Sequence, residues 1–171
     1  MGAAFSTITG NVIHDINMRR MFSGAEMAGI KFHGAVDSVI AHNHIYRCDG
    51  FGGIWLDWMT QGTRVTGNLL HDNTNASKHS QDLFVEVNHG PFLIDNNIFL
   101  SAKTLLDQST GGAYVHNLFG GRIPKVVPQG RETPYLKAHS TEIAGLSDTP
   151  GGDSRFINNL FLDGHDLSPY D

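Results

Sequence analysis

The sequence predicts an all-β chain folded as a right-handed parallel β-helix of about six coils. Three observations predict it: a phrase built around asparagine that recurs six times, a second series of strand-like phrases upstream of the asparagines, and a composition suited to strands and tight turns.

The recurring phrase is apolar-x-x-Asn-apolar-apolar. It reads ITGNVIHD around Asn11, IAHNHIYR around Asn43, VTGNLLHD around Asn68, IDNNIFLS around Asn97, YVHNLFGG around Asn117 and FINNLFLD around Asn159. Successive asparagines are 32, 25, 29, 20 and 42 residues apart, and roughly 20 to 30 residues is one coil of a solenoid whose coils each supply several short strands. Buried helix is the alternative for short apolar phrases, but the Asn, Gly and β-branched residues inside each one argue against it. Equivalent positions on successive coils stack about 4.8 Å apart. An asparagine at the same turn of every coil can therefore hydrogen-bond to the backbone of the next, and the six are read as a structural ladder.

The second series consists of AGIKFHG (28–34), GGIWLDW (52–58), DLFVEV (82–87) and KTLLDQ (103–108). Eleven residues before Asn43, Asn68, Asn97 and Asn117 stand Phe32, Asp57, Glu86 and Leu106, which this spacing places in one stack. Longer insertions fall between the strands, as loops on one face would. One is HDNTNASKHSQ (71–81); the other, rich in Pro and Gly, runs over about 120–153, where Tyr135, Leu136, Ile143 and Leu146 suggest packing against the coils. The expected organisation is a single β-helix domain over 1–171 with that insertion.

Composition narrows the function classes. At 171 residues and 40% apolar content the chain can build one core and is too short for two. Charged residues make up 17%, below the usual quarter, and Gly reaches 20, which favours strands and turns. A net charge of -5 gives no basic footprint for nucleic acid. The single cysteine, Cys48, has no partner for an internal disulfide and reads as a small buried hydrophobe. No Cys/His spacing resembles a zinc site, so neither metal nor cofactor is expected. The N-terminal MGAAFSTITGNVIHD lacks a basic segment followed by an apolar run, and no 18 apolar residues occur in succession. Those two absences give the expectation of no membrane span and favour cytoplasm over secretion.

Two carboxylates carry the chemistry. Asp57 follows Trp55 by two positions and Glu86 follows Phe84 by two, so each acid shares a strand face with an aromatic. On neighbouring coils the pair would lie near the separation of about 5 to 5.5 Å used by retaining glycosidases, below the roughly 6.5 to 9.5 Å of inverting ones. Mutual repulsion raises one pKa and provides a proton donor. Glu86, with the longer reach, suits acid and then base, and the shorter Asp57 suits attack. Stacked acids can also be plain solvated surface, but the neighbours speak for a site. Trp55, Trp58 and Phe84 offer flat faces for a sugar ring, and Asn88 and His89 add hydrogen-bonding groups. Trp55 has a reading as core, and His89 as a cap before Pro91. Lys31 and His33, on the preceding coil, are candidate substrate contacts. Glu26 and Asp107 could flank the site, with solvated surface the favoured role for both. His139, with Ser140 and Thr141, could close over a sugar or only stabilise its loop.

At GGIWLDWMTQGTRVTGNLLHDN, followed by QDLFVEVNHGPFLIDNNIFLS, the chain resembles glycoside hydrolase family 120, whose characterised members are β-xylosidases. The resemblance implies Asp57 as nucleophile and Glu86 as acid/base. PYLKAHSTEIAGL and PGGDSRFINNLF are also similar, so the likeness spans most of 28–164, while NASKHSQ between the acids looks longer than the family's loop. Family members are longer chains with further coils and an additional β-rich domain, so this chain is expected to correspond to central coils only. Related exo-enzymes often assemble so that a neighbouring chain narrows the cleft, which leaves room for a homo-oligomer.

The expected function is a retaining glycoside hydrolase that releases xylose from β-xylosides and xylo-oligosaccharides through a covalent intermediate on Asp57, without metal. Two other classes use the same fold. A polysaccharide lyase or epimerase would need a base such as Lys31 or Arg64 and a calcium-neutralised uronate. A non-catalytic carbohydrate-binding solenoid would bind sugar on its aromatics without turnover.

Overall fold

The structure, a computed structural model, describes residues 4–22, 24–73, 80–124, 130–163 and 165–170. The chain winds through six rungs. The first holds β1 (Thr7–Thr9) and β2 (Val12–Ile16); the second holds β3 (Ile30–His33), β4 (Val39–Ala41) and β5 (His44–Cys48). In the third are β6 (Gly52–Asp57), β7 (Thr63–Thr66) and β8 (Leu69–His71), and in the fourth β9 (Gln81–Glu86), β10 (Phe92–Asp95) and β11 (Ile98–Phe99). The fifth holds β12 (Leu105–Asp107), β13 (Gly112–Val115) and β14 (Leu118–Phe119). A hairpin of β15 (Arg131–Leu136) and β16 (Ile143–Thr149) leaves the solenoid before β17 (Arg155–Ile157) and β18 (Leu160–Phe161) close the sixth. Equivalent strands pair in parallel into three sheets, β1-β4-β7-β10-β13-β17, β18-β14-β11-β8-β5-β2 and β12-β9-β6-β3, while β15 and β16 pair antiparallel.

Alternation along the strands fills the interior. Ile54 and Leu56, Leu83 and Val85, Ile40, Val65 and Ile94, and Ile45, Leu70 and Phe99 point inward and are fully buried. Like side chains stack rung on rung: Phe99 lies over Phe119 at 5.3 Å between ring centroids, and Phe119 over Phe161 at 5.2 Å. Cys48 is buried in the same core, as expected, and burial pushes its thiol up to about 12.

The asparagine ladder is continuous. The Oδ1 atoms of Asn43, Asn68, Asn97, Asn117 and Asn159 each accept from both the backbone N–H and the Nδ2 of the asparagine one rung before, at 2.8–3.0 Å. The residue before each asparagine has a positive φ: Gly10, His42, Gly67, Asn96, His116 and Asn158, between 52° and 70°. Gly, Asn and His are the types that tolerate this left-handed turn best, so the narrow choice of residue at the third position of the phrase reflects backbone sterics.

Three expectations need correction. The eleven-residue offset holds only for the central pair, because Phe32 pairs with Leu56 and Leu106 with Phe84. Turns between the sheets differ in length by one or two residues, and an offset counted across them drifts. Asp107 is not solvated surface: it is an inward residue of β12, 3% exposed, accepting from Tyr114 Oη at 2.7 Å, Ser109 N at 2.8 Å and Ser154 Oγ at 3.3 Å. The insertion over 120–153 supplies the ordered hairpin, but only Leu136 of its four apolar candidates is buried, with Ile143 and Leu146 on the exposed face. Most of NASKHSQ lies outside the described residues.

Candidate active site

The outward face of the β12-β9-β6-β3 sheet carries two columns set by strand register. Lys31 pairs with Trp55, Trp55 with Phe84 and Phe84 with Leu106, so one column is apolar and aromatic below a lysine. Two positions on, His33 pairs with Asp57 and Asp57 with Glu86. The two acids therefore stand on adjacent rungs, on the same face, with backbones about 4.8 Å apart. Each is the last residue of its strand. The next residue turns the chain through the left-handed region, at φ 38° for Trp58 and 44° for Val87. Such a φ is uncommon for a bulky or β-branched residue and is stored strain held by the surrounding rungs.

These columns floor a cleft of about 500 Å³. Phe51, Trp55 and Phe84 form its aromatic wall, the Trp55 ring lying 4.4 Å from Phe51 and 5.4 Å from Phe84 between centroids. His33, Asp57, Trp58 and Glu86 face it from the acid column, joined by Ala25, Glu26, Leu106, Gln108 and Arg131. Trp55 is thus both core-like, 3% exposed, and a wall of the site.

Asp57 sits 6% exposed in a dense hydrogen-bonding environment. Its Oδ2 accepts from Lys31 Nζ at 2.8 Å and from His33 Nδ1 at 2.9 Å. The same Lys31 ammonium contacts Glu26 and lies 4.0 Å from the centroid of the Trp55 ring. Glu86 Oε2 accepts from Trp55 Nε1 at 3.1 Å. Burial pushes the Glu86 carboxyl above the ordinary range, and the negative charge of Asp57 and a hydrogen bond with that carboxyl push it further; the Trp55 indole and the charge of Arg131 draw it back only in part. One acid is thus biased toward the protonated form while its neighbour is bonded to a cation, the division of labour that acid catalysis beside a nucleophile requires.

Other candidates divide sharply. Lys31 and His33 are at the site, through Asp57. Asn88 is fully buried away from the cleft, its Nδ2 donating to the Leu56 carbonyl at 3.0 Å and its Oδ1 accepting from Thr60 N at 2.7 Å. It fastens the turn after β9, as the ladder asparagines fasten theirs. His89 Nε2 donates to the Thr133 carbonyl at 3.0 Å and lies 2.7 Å from Thr133 Oγ1, so it anchors the hairpin. His139 is exposed and bonds to Asp37 Oδ2 at 2.8 Å, outside the cleft, and Ser140 caps its own turn by accepting from Glu142 N. Asn88 and His89 follow Glu86 in sequence, but the chain has turned the corner at Val87 by the time it reaches them.

Phe51, Gln108 and Arg131 are cleft residues that sequence reasoning missed. Gln108 was findable: it follows Leu106 by two, as Asp57 follows Trp55 and Glu86 follows Phe84. Arg131 arrives from the hairpin, and nothing in its local sequence announces the cleft. Arg64, a candidate base for lyase chemistry, lies on another sheet, forked onto Asp95 at 2.7 Å through both Nε and Nη2. Among the described residues no three His, Cys, Asp or Glu side chains converge as metal ligands.

Residues 1–119 match the family described as a right handed beta helix region. A solved structure, the complex structure of XylC with xylose, is 45% identical and superposes with a TM-score of 0.83 over 95% of this chain. That match covers 25% of the XylC chain, so this chain spans about a quarter of its length. No curated protein matches the chain.

Proposed function

The chain belongs to the right-handed β-helix family, and from that premise we propose that it carries the catalytic centre of a retaining β-xylosidase of glycoside hydrolase family 120. The observation that carries this reading is the register of Asp57 with Glu86 on adjacent rungs, at the floor of a cleft with an aromatic wall. Spacing of this order suits double displacement, since an inverting pair needs room for a water between carboxyl and sugar.

In the first step the Glu86 carboxylic acid protonates the glycosidic oxygen as Asp57 attacks the anomeric carbon, and the aglycone departs as an alcohol. In the second, the Glu86 carboxylate takes a proton from water, which displaces Asp57 and releases the sugar with its configuration retained. Lys31 and His33 hold the Asp57 carboxylate in line for attack, and Trp55 fixes the Glu86 carboxyl. Xylose as the sugar is supported by the complex structure of XylC with xylose at 45% identity and by the likeness of GGIWLDW and DLFVEVNHG to the family's acid-bearing segments.

The test is hydrolysis of p-nitrophenyl β-xyloside by the chain, by Asp57→Ala and by Glu86→Ala, with azide as external nucleophile. Both variants should lose hydrolysis, with an inverted xylosyl azide from Asp57→Ala and a retained one from Glu86→Ala. Binding of xylose by a folded chain that never turns over, unaltered by Asp57→Ala, would instead establish a non-catalytic sugar-binding solenoid.

A further inference from the structure

The hairpin of β15 and β16 is docked along one corner of the solenoid, and its three anchors climb the rungs in order. His139 meets Asp37 before β4, Leu136 exchanges two hydrogen bonds with the Gln61 side chain before β7, and Thr133 meets His89 before β10. Going back along β15, the chain therefore passes from the second rung to the fourth, the rung of Glu86. Arg131 precedes Thr133 by two and shares its strand face, and Thr133 is fully buried toward the solenoid. The register shift between Tyr135 and Leu136 lets the tip bury Leu136 without disturbing that face. This geometry delivers Arg131 to the cleft wall beside Glu86 and Gln108.

What the guanidinium does there follows from its contacts. Its carbon lies 4.1 Å from the centroid of the Trp58 ring, so one face is stacked. Stacking leaves the in-plane N–H fork available for acceptors, and no side-chain hydrogen bond ties that fork to another described residue. Lys31, the other cation here, is already bonded to Asp57 and Glu26. A stacked guanidinium with a preset fork suits vicinal sugar hydroxyls, because little rotamer freedom is lost when they bind.

We infer that Arg131 is a sugar-binding residue of this cleft, holding pyranose hydroxyl oxygens from a seat on Trp58. The inference rests on the glycosidase reading and adds to it a binding residue from outside the coils. Its ligand class is an uncharged pentopyranose or hexopyranose, and the hairpin is thereby part of the specificity apparatus rather than a decorative insertion.

The experiment is titration of the chain with D-xylose, followed by NMR, for the unaltered protein, Arg131→Ala and Arg131→Lys. Backbone amide shifts of Thr133 and Leu136 report whether the hairpin stays docked. Arg131→Ala should weaken xylose binding at least tenfold with those amides unmoved, and Arg131→Lys, which keeps the charge without the fork, should fall between. Equal affinity in all three would overturn the inference and leave the carboxylate reading standing. No xylose binding by the unaltered chain would overturn the inference together with the xylose reading it rests on. Loss of affinity accompanied by undocked hairpin amides in Arg131→Ala would shift the decision to Arg131→Lys: an affinity equal to the unaltered chain would overturn the role of the fork.

Discussion

Trp55 Nε1 donates to Glu86 Oε2 at 3.1 Å while its ring stacks on Phe84, so one side chain both walls the cleft and holds the acid in place. The indole stabilises the charged form of Glu86 and partly offsets the rise caused by burial and by Asp57. In Trp55→Phe an aromatic ring, though a smaller one, is kept and the donor lost. The Glu86 pKa then rises, its proton is held to higher pH, and the basic limb of kcat/KM moves up by on the order of one pH unit. Carbon-13 NMR of the Glu86 carboxyl, followed against pH, checks the shift independently of turnover; an unmoved midpoint would show that the bond contributes nothing to the acid.

Lys31 bridges Asp57 and Glu26, and Asp57 is nearly buried. Removing one partner of such a pair leaves a charge uncompensated, at a cost of roughly 3–5 kcal/mol for a fully buried pair and less where water reaches it. Lys31→Met should lower unfolding free energy by about 2 kcal/mol. In an Asp57→Asn background the same substitution should cost much less, because the charge it strands is gone. Urea unfolding of the four members of this cycle measures the coupling, and additivity would mean that the ion pair is not what holds Asp57.

The fold was legible in the sequence because the asparagine phrase is enforced twice, by the ladder and by the left-handed turn before it. Asp57 and Glu86 were legible because each follows an aromatic by two on a strand with strict alternation. Legibility failed wherever the chain turned a corner. Asn88 and His89 sit one and two residues past the left-handed Val87, so adjacency in sequence no longer meant a shared face. Asp107 looked like surface because acids usually are, yet strand alternation beside Leu105 put it inside, where hydroxyl partners 7 and 47 residues away in sequence satisfy it. Arg131 depends on a hairpin docked by contacts 44, 75 and 102 residues apart in sequence, which no local pattern encodes.

The ladder predicts graded costs. Asn68 accepts from Asn43 and donates to the carbonyl of Ile40 and to Asn97, all buried. Asn68→Ala orphans a buried N–H and a buried carbonyl together, so about 3 kcal/mol or more is expected from denaturant unfolding. Asn159 ends the ladder in the sixth rung, is half-buried, and among the described residues donates to the Tyr114 carbonyl but to no further asparagine; Asn159→Ala should cost about 1 kcal/mol. Equal costs at both sites would mean that the ladder is not the stabilising unit.

Two buried carboxyls that the proposed chemistry does not use give the stability a pH dependence of unusual sign. Burial pushes Asp82 and Asp107 up from 3.8 to about 6, against hydrogen bonds from Ser101 and Asn73 to the first and from Tyr114, Ser109 and Ser154 to the second. Between about pH 4 and 6 the folded chain binds more protons at these sites than the unfolded chain. Their contribution is therefore fully present below about pH 4 and is lost as pH rises through about 6, by up to roughly 3 kcal/mol per group. Asp95 acts the other way at lower pH: burial raises its pKa, but the Arg64 fork and neighbouring donors outweigh it and the net shift is downward. A substitution is needed to isolate the effect. Asp107→Asn is the cleaner choice, because the Tyr114 and Ser154 hydroxyls can turn to accept from the new amide, whereas Asp82 faces the Ser101 and Asn73 N–H donors on separate oxygens and an amide there would meet one of them donor to donor. Urea unfolding at intervals from pH 4 to 7 should show Asp107→Asn losing about half of the stability decline across that window and gaining stability relative to the unaltered chain at pH 7. An unchanged slope would mean that Asp107 is ionised in the folded chain throughout.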